Sequence, residues 1–498
     1  MEAAGSGDEA PRDGRAAVAG LVRRRWLRDL AVRVYGPNFQ HRLAAHARAA
    51  DRTTRRWLAG DGRVKDQYLA AIAAAAETDL GRLRALEWDY LRMLKRGVPD
   101  LAWDAAGAVT AALRVAGIGG GVAARPASLP DDPAAVVLAR LLTAAPLTPP
   151  TADQVGLVRL PAGMLDSHAA MLTTMRHQDD LAGGGSWRGP AQGRVESLAR
   201  LLDQARAAGG PDRVLLGLFA RAAQYAGWCE FESGLDQMAW QLWMAALRAA
   251  DAAGDQLAFV QVLASLAFWA IQSGRPADAI FLCSLARSRL ESGPGGEGVS
   301  GRRARALLLS RQAVASAALA HTETCWELLD QAQALLADLA AEGGDEDCWT
   351  YYVDPSLLGL HAGLALLGLG EAGRAVDRLQ DAVAGMPARM VRNRGVGLAW
   401  LALARLTASG PASDPAVEQA VAEASEAALL AETQVGSRLL LVALRRADEA
   451  LEPYRDTVVV KEFRDRFAVL LRCPVTVPGC VRSPVPVSGR PSADRDEL

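Results

Sequence analysis

The chain has 498 residues, a net charge of −2 and six cysteines, and half of its residues are hydrophobic although only 5% are aromatic. This length exceeds that of a single compact core and predicts several domains or a repeat array. The cysteines are widely spaced and form no C-x-x-C pair, which argues against a zinc site or a disulfide framework. Long Ala- and Leu-rich segments favour helices over strands, so we expect an all-α fold.

The two ends of the chain have the composition of disordered segments. Residues 1–18 are polar and lack the apolar stretch of a signal peptide. Residues 472–498 are Pro-rich and are predicted to form a disordered tail. The longest apolar run, residues 357–369, is too short to cross a bilayer. We therefore expect a cytoplasmic protein with no membrane partner.

Residues 19–97 are predicted to form a small basic helical domain. Between residues 21 and 65, twelve Lys or Arg stand against three Asp, which leaves nine surplus positive charges, whereas the remainder of the chain is acidic. This asymmetry predicts an anionic partner for the first segment alone.

Within this domain the pattern indicates a helix-turn-helix. A short helix over residues 40–47 and a second over residues 53–59 flank a tight turn, Trp57 anchors the second helix and Gly60 ends it. This layout offers the second helix to the major groove of duplex DNA. The predicted DNA-binding residues are Arg42, Arg52, Thr53, Arg55 and Arg56. The alternative is a solvated basic face with no role in DNA binding.

Residues 98–193 contain Gly- and Pro-rich stretches at 117–121, 125–133 and 183–193, and we expect a linker with short helices there. Residues 194–471, in contrast, read as one helix after another.

The clearest unit of that region is residues 361–387. Gly363, Ala375, Leu379 and Ala382 follow the spacing that is typical of a tetratricopeptide repeat. Small residues allow two antiparallel helices to approach where their axes cross, and the large residue fills the groove to the next pair. Similar triplets occur at Ala239, Trp243 and Ala246, at Ala279, Cys283 and Ala286, at Cys325, Leu329 and Ala332, and at Ala420, Ala424 and Ala427. The predicted architecture is a tetratricopeptide-like α-solenoid; the alternative is an unrelated bundle of amphipathic helices.

Two parts of the chain together resemble a known family. Over residues 35–60 and 215–471 the chain is similar to bacterial Xre-type helix-turn-helix regulators with a C-terminal tetratricopeptide array. The segments that carry the resemblance are YGPNFQHRLA and DRTTRRWLAG in the first part and AQYAGWCEFESG, ALRAADAAGD, WTYYVDPSLLGLHAGLALLGLGEAGRAVDRLQDAV, RNRGVGLAWLALARL and EPYRDTVVVKEFRDRFAVLL in the second. The resemblance implies a transcription regulator whose repeat domain binds a peptide, a small molecule or a partner protein and mediates homodimerisation. The alternative is a repeat scaffold that binds proteins but no DNA.

The concave face of such an array is the expected ligand surface. The candidate ligand-binding residues are Tyr351, Tyr352, Asp354, Arg389, Arg392 and Arg394. Aromatic rings beside arginines suit a peptide or a carboxylate-bearing ligand. The alternative is that the tyrosines pack between repeats and the arginines pair with acidic neighbours.

The tryptophans of the array, Trp228, Trp240, Trp243 and Trp269, are predicted to fill its core. No phosphate-binding loop, dinucleotide fingerprint, H-E-x-x-H or G-x-S-x-G motif occurs in the sequence. We therefore expect neither enzymatic activity nor a cofactor or metal.

Overall fold

A computed structural model describes residues 70, 104–118, 162–207, 213–291, 296–339, 349–408 and 414–472. All regular secondary structure in these ranges is helical, which confirms the predicted all-α fold for this part of the chain. The predicted DNA-binding residues Arg42, Arg52, Thr53, Arg55 and Arg56 lie outside the described residues, as do the predicted leader and residues 473–498 of the predicted tail.

The helices in these ranges are numbered in chain order. They are α1 (Ala105–Val115), α2 (Ala162–Ala182), α3 (Gly184–Ala207), α4 (Arg213–Glu232), α5 (Asp236–Ala253), α6 (Gln256–Gln272), α7 (Pro276–Glu291), α8 (Val299–Ala318), α9 (Thr322–Leu339), α10 (Pro355–Gly368), α11 (Ala372–Gly385), α12 (Val391–Thr407), α13 (Asp414–Thr433), α14 (Arg438–Ala450), α15 (Val458–Arg466) and α16 (Ala468–Arg472). A 3-10 turn, Glu452–Tyr454, follows α14.

From α4 to α13 the helices pack as successive antiparallel pairs, α4 with α5, α6 with α7, α8 with α9, α10 with α11 and α12 with α13. The first helix of each pair also contacts the first helix of the next pair. The first helices therefore form an inner layer, and the second helices lie outside it.

The helix pairs approach closely where a small residue faces a large one. A Cβ atom added to Gly227 of α4 would lie 2.5 Å from Trp243 Nε1 of α5. A Cβ atom on Gly363 of α10 would overlap the Leu379 side chain of α11 in the same way. Both pairs are sixteen residues apart in the sequence. The close packing predicted from the small–large spacing at residues 361–387 is thus confirmed.

The array closes on itself through α2. This helix packs against α3, α4 and α12, so it connects the first helix pair with a late one. The backbone N–H of Gly436, in the turn between α13 and α14, donates to the Ala182 carbonyl at 2.8 Å, and Gly185 N–H donates to the Gly436 carbonyl at 3.1 Å. Arg438 of α14 forms a buried ion pair with Asp236 of α5 at 2.7 Å. We call this set of contacts the ring closure.

The structure differs from the linker expected at residues 98–193. Residues 162–182 form a helix of 21 residues, and residues 184–193 begin a helix of 24 residues instead of a break. Packing overrides the unfavourable composition, because Ala191 and Val195 are fully buried. The glycines before them serve close approach: a Cβ atom on Gly185 would lie 2.8 Å from the Gly436 carbonyl oxygen.

None of the helices in the described ranges combines the length and the apolar character that a membrane span requires.

Candidate ligand-binding site

The inner layer surrounds a cavity of about 130 Å³. Its wall is built from α2, from the first helices α4, α6, α8, α10 and α12, from α14 and from the segment that precedes α10. The aromatic side chains of the wall are Tyr225, Trp228, Phe268, Trp349, Tyr351, Tyr352 and Trp400. Its charged side chains are Arg176, Asp179, Asp180, Arg311 and Arg392.

Arg392, at the start of α12, is buried and paired. Its guanidinium forms an ion pair with Asp179 and lies 3.5 Å from Asp180 Oδ1. It also lies 5.3 Å from the ring centre of Trp228. Burial lowers the pKa of Arg392, but the neighbouring carboxylates outweigh burial and raise it. Burial raises the pKa of Asp180 to about 6, although Arg392 opposes this shift.

Tyr351 joins α2 to the segment before α10. Its hydroxyl donates to Asp180 Oδ2 at 2.5 Å and lies 3.1 Å from the Arg176 carbonyl oxygen. Its ring centre is 4.4 Å from that of His177 and 5.8 Å from that of Tyr352. These contacts hold α2 against the inner layer.

Arg311 of α8 is buried without an acidic partner. Only 7% of the residue is exposed, and its Nη1 donates to the Ala264 carbonyl at 2.6 Å. Its guanidinium lies 5.0 Å from the ring centre of Phe268. Among the described residues no carboxylate lies within 4.0 Å of this guanidinium, and its Nε has no hydrogen-bond partner.

The pKa of Arg311 reflects this isolation. Burial lowers it, and Tyr352 and Cys283 are the groups that oppose the shift. Both are uncharged at neutral pH, since burial raises the pKa of Tyr352 and raises that of Cys283 to about 12. Arg311 therefore brings a positive charge into the wall that no described acid neutralises.

A second arginine of the wall, Arg176 of α2, is in a similar position. Its Nη2 lies 3.5 Å from Gln261 Oε1, and no described residue bonds its Nε. Burial lowers the pKa of Arg176, and the positive charge of Arg221 lowers it further. The nearby Gln224 donates to Ser265 Oγ at 2.9 Å, but its own Oε1 is buried without a described donor.

The structure brings three of the predicted ligand-binding residues together. Tyr351, Tyr352 and Arg392 all line the cavity. Tyr351 and Arg392 also fit the structural alternative, in which the tyrosines pack between elements and the arginines pair with acids. Tyr351 bonds to Asp180 of α2, and Arg392 forms an ion pair with Asp179.

The other three predicted residues do not line the cavity. The Asp354 side chain caps α10 and accepts from Leu357 N–H at 2.8 Å. Arg389 is exposed. Arg394 pairs with Glu426 of α13 at 2.9 Å, and both side chains are more than 40% exposed.

Sequence reasoning missed Arg176, Asp179, Asp180 and Arg311. The first three lie in the segment that was interpreted as a linker. A signal for Arg311 does exist in the sequence, because it lies two residues after the apolar run Ala306–Leu309, and the other buried residues of its helix carry no charge. A charged side chain among such residues requires a partner.

Three of the four tryptophans, Trp240, Trp243 and Trp269, are buried in the core as predicted. Trp228 is partly buried, packs against this core and also lines the cavity.

No family model, curated protein or solved structure matches this chain.

Proposed function

We propose that this protein is a ligand-responsive, DNA-binding transcription regulator. In this proposal the tetratricopeptide-like array binds a ligand in its central cavity, the basic segment at residues 19–97 binds duplex DNA, and the protein acts as a homodimer. The observation that carries the proposal is the cavity inside the array, whose wall holds Arg176 and Arg311 without acidic partners among the described residues. Buried charges in proteins are normally paired, so an unpaired one inside a cavity favours a binding role.

The position of α2 supports a link between ligand and DNA. Arg176, Asp179 and Asp180 all belong to α2, which lies between the basic segment and the repeats in the sequence. When a ligand contacts these side chains, its affinity for the protein depends on how α2 is arranged. Only such a difference in affinity shifts a conformational equilibrium. Movement of α2 would then alter the orientation of the preceding DNA-binding segment.

The DNA-binding half is supported by the nine surplus positive charges between residues 21 and 65 and by the helix-turn-helix pattern that they accompany. A protein that neutralises several DNA phosphates binds DNA with an affinity that falls steeply as the salt concentration rises. One short recognition helix makes few base contacts, so a dimer that reads two half-sites about one helical turn apart is expected.

The test is selection of binding sites by the full-length protein from a random duplex pool, followed by gel-shift titration over a salt series. Loss of a bidentate base contact in Arg55→Ala is expected to weaken specific binding by about 1–3 kcal/mol. Arg394→Ala, on the exposed surface of the array, serves as the matched control and leaves binding unchanged. If no sequence is selected and Arg55→Ala binds like the wild type, the repeat scaffold without DNA binding becomes the better proposal.

A further inference from the structure

We infer that the central cavity binds a small aromatic monocarboxylate, with its carboxylate on the guanidinium of Arg311 and its ring among the aromatic side chains of the wall. This inference rests on the proposed function only in that the array binds a ligand, and it does not depend on DNA binding.

The charge of the ligand follows from the ion pairs of the wall. The described residues that line the cavity include three arginines and two aspartates, and both aspartates are engaged by Arg392. Arg176 and Arg311 are left without a carboxylate in the described part of the chain. A guanidinium presents parallel N–H donors that fit a carboxylate, which makes a bound anion the natural partner for Arg311.

The same wall disfavours a multiply charged anion. Asp179 and Asp180 lie on the cavity surface, so a phosphate dianion would face two carboxylates as well as the arginines. A single negative charge balances the net charge of +1 that three arginines and two aspartates give the wall, and it limits this repulsion.

The size and lining of the cavity indicate what the uncharged part of the ligand is. Its volume of about 130 Å³ is close to that of an engineered protein cavity of about 150 Å³ that binds benzene. Phe268 lies 5.0 Å from the Arg311 guanidinium and Tyr352 is a further aromatic neighbour, while Leu360 and Leu364 of α10 line the same cavity. One aromatic ring with a short acidic side chain therefore fits.

The position of α2 argues for a small molecule over an extended peptide. Its Asp179 and Asp180 side chains are bonded to Arg392 and Tyr351 on the inner face of the array. A peptide that ran along this face would have to displace α2 and break these buried ion pairs, whereas a single-ring molecule fits beside them.

The experiment is calorimetric titration of the full-length protein with benzoate, phenylacetate and 4-hydroxyphenylacetate, and with their neutral amides. We expect at least one acid to bind, its amide to bind at least tenfold more weakly, and inorganic phosphate not to bind. Arg311→Gln is expected to weaken binding of the acid at least tenfold. Arg311→Lys keeps the charge and is expected to retain more affinity than Arg311→Gln. The matched control, Arg394→Gln, removes an exposed arginine outside the cavity and leaves affinity unchanged.

Thermal melting of each variant shows whether it is folded. Equal affinity for an acid and its amide, or no binding of any of the three acids, overturns the inference. Acid binding that is equal in folded Arg311→Gln and wild-type protein also overturns it. Acid binding without sequence-selective DNA binding refutes the DNA-binding proposal and leaves this inference standing. Selective DNA binding without acid binding supports the DNA-binding proposal and overturns this inference.

Discussion

Glu232, at the end of α4, is a buried carboxyl group at the ring closure. Only 2% of the residue is exposed, and burial raises its pKa to about 7, against the opposing influence of Arg392, Ser437 and Arg438. A carboxyl group with a raised pKa keeps its proton in the folded state at a pH where the unfolded chain has released it. Its contribution to stability is present below about pH 4.5 and is lost as the pH rises through 7.

We therefore expect the wild-type protein to lose more stability between pH 5 and pH 8 than Glu232→Gln does. The difference should be about 1–3 kcal/mol, because each unit of pKa shift corresponds to about 1.4 kcal/mol. Urea denaturation of both proteins at several pH values measures it. Stability curves that run parallel over this range would contradict the raised pKa.

A second feature at the scale of single residues is the turn between α8 and α9. Ala320 has φ = 57°, the one positive φ of a non-glycine residue in the described ranges, whereas Gly234, Gly274 and Gly370 occupy the corresponding turns of three other pairs with positive φ. An L-residue with a side chain is strained in this conformation.

Ala320→Gly is expected to stabilise the fold by about 0.5–1 kcal/mol, because relief of strain outweighs the added freedom of the unfolded chain. The matched control is Ala334→Gly, an exposed position inside α9, which should destabilise by about 1 kcal/mol. Chemical denaturation of the three proteins compares them. Destabilisation of the same size in both variants would show that Ala320 is not strained.

At the scale of helices, the unit that repeats is a pair whose members touch where a small residue meets a large one. Gly363 and Leu379 show the tightest such contact, and Leu379 is fully buried. The geometry makes the two residues complementary in volume, so their substitutions should not be additive.

Gly363→Ala is expected to destabilise by about 1–3 kcal/mol through overpacking. Leu379→Ala alone should cost about 2–5 kcal/mol through the cavity that it leaves. The double variant should lose less stability than the sum of the losses in the two single variants, because the methyl group that Gly363→Ala adds enters the space that Leu379 has vacated. Gly373→Ala is the control, since nothing lies within 4 Å of its Cβ position in α11, and it should stabilise the helix by up to about 1 kcal/mol. Strict additivity of the two substitutions would mean that α10 and α11 do not pack in this way.

Across the whole protein, the ring closure joins residues that are about 200 to 250 positions apart in the sequence. Arg438 and Asp236 pair at 2.7 Å with side-chain exposures of 5% and 3%. Arg394 and Glu426 pair at a similar distance, 2.9 Å, but with exposures of 42% and 48%. The two pairs differ mainly in burial, which makes them a matched comparison.

Arg438→Met should destabilise the protein by about 3–5 kcal/mol, because it leaves the Asp236 carboxylate buried without its partner. Arg394→Met should change stability by no more than about 1 kcal/mol, since an exposed pair is screened by water. Equilibrium denaturation of both variants provides the measurement. Equal losses in the two variants would contradict the buried contact between α14 and the first helix pair.

The helical character of the described ranges and the close helix pairs follow from the sequence alone. Both depend on short-range patterns: Ala and Leu favour helix locally, and the spacing of Gly363, Ala375 and Leu379 follows from the dimensions of two connected helices. The same reasoning predicted Tyr351, Tyr352 and Arg392 on the concave face of the array, and these three residues line the cavity.

The roles of α2 and α3, the ring closure and the composition of the cavity wall depend instead on long-range packing. The glycines at 183–185 read locally as a break, yet they are the residues that allow the Gly436 backbone to approach. Arg176 and Arg311 are far apart in the sequence, and both line one cavity because α2 packs against the first helices α4 and α12. That placement depends on many helix contacts along the array, so no local pattern of residues specifies which distant side chains it brings together.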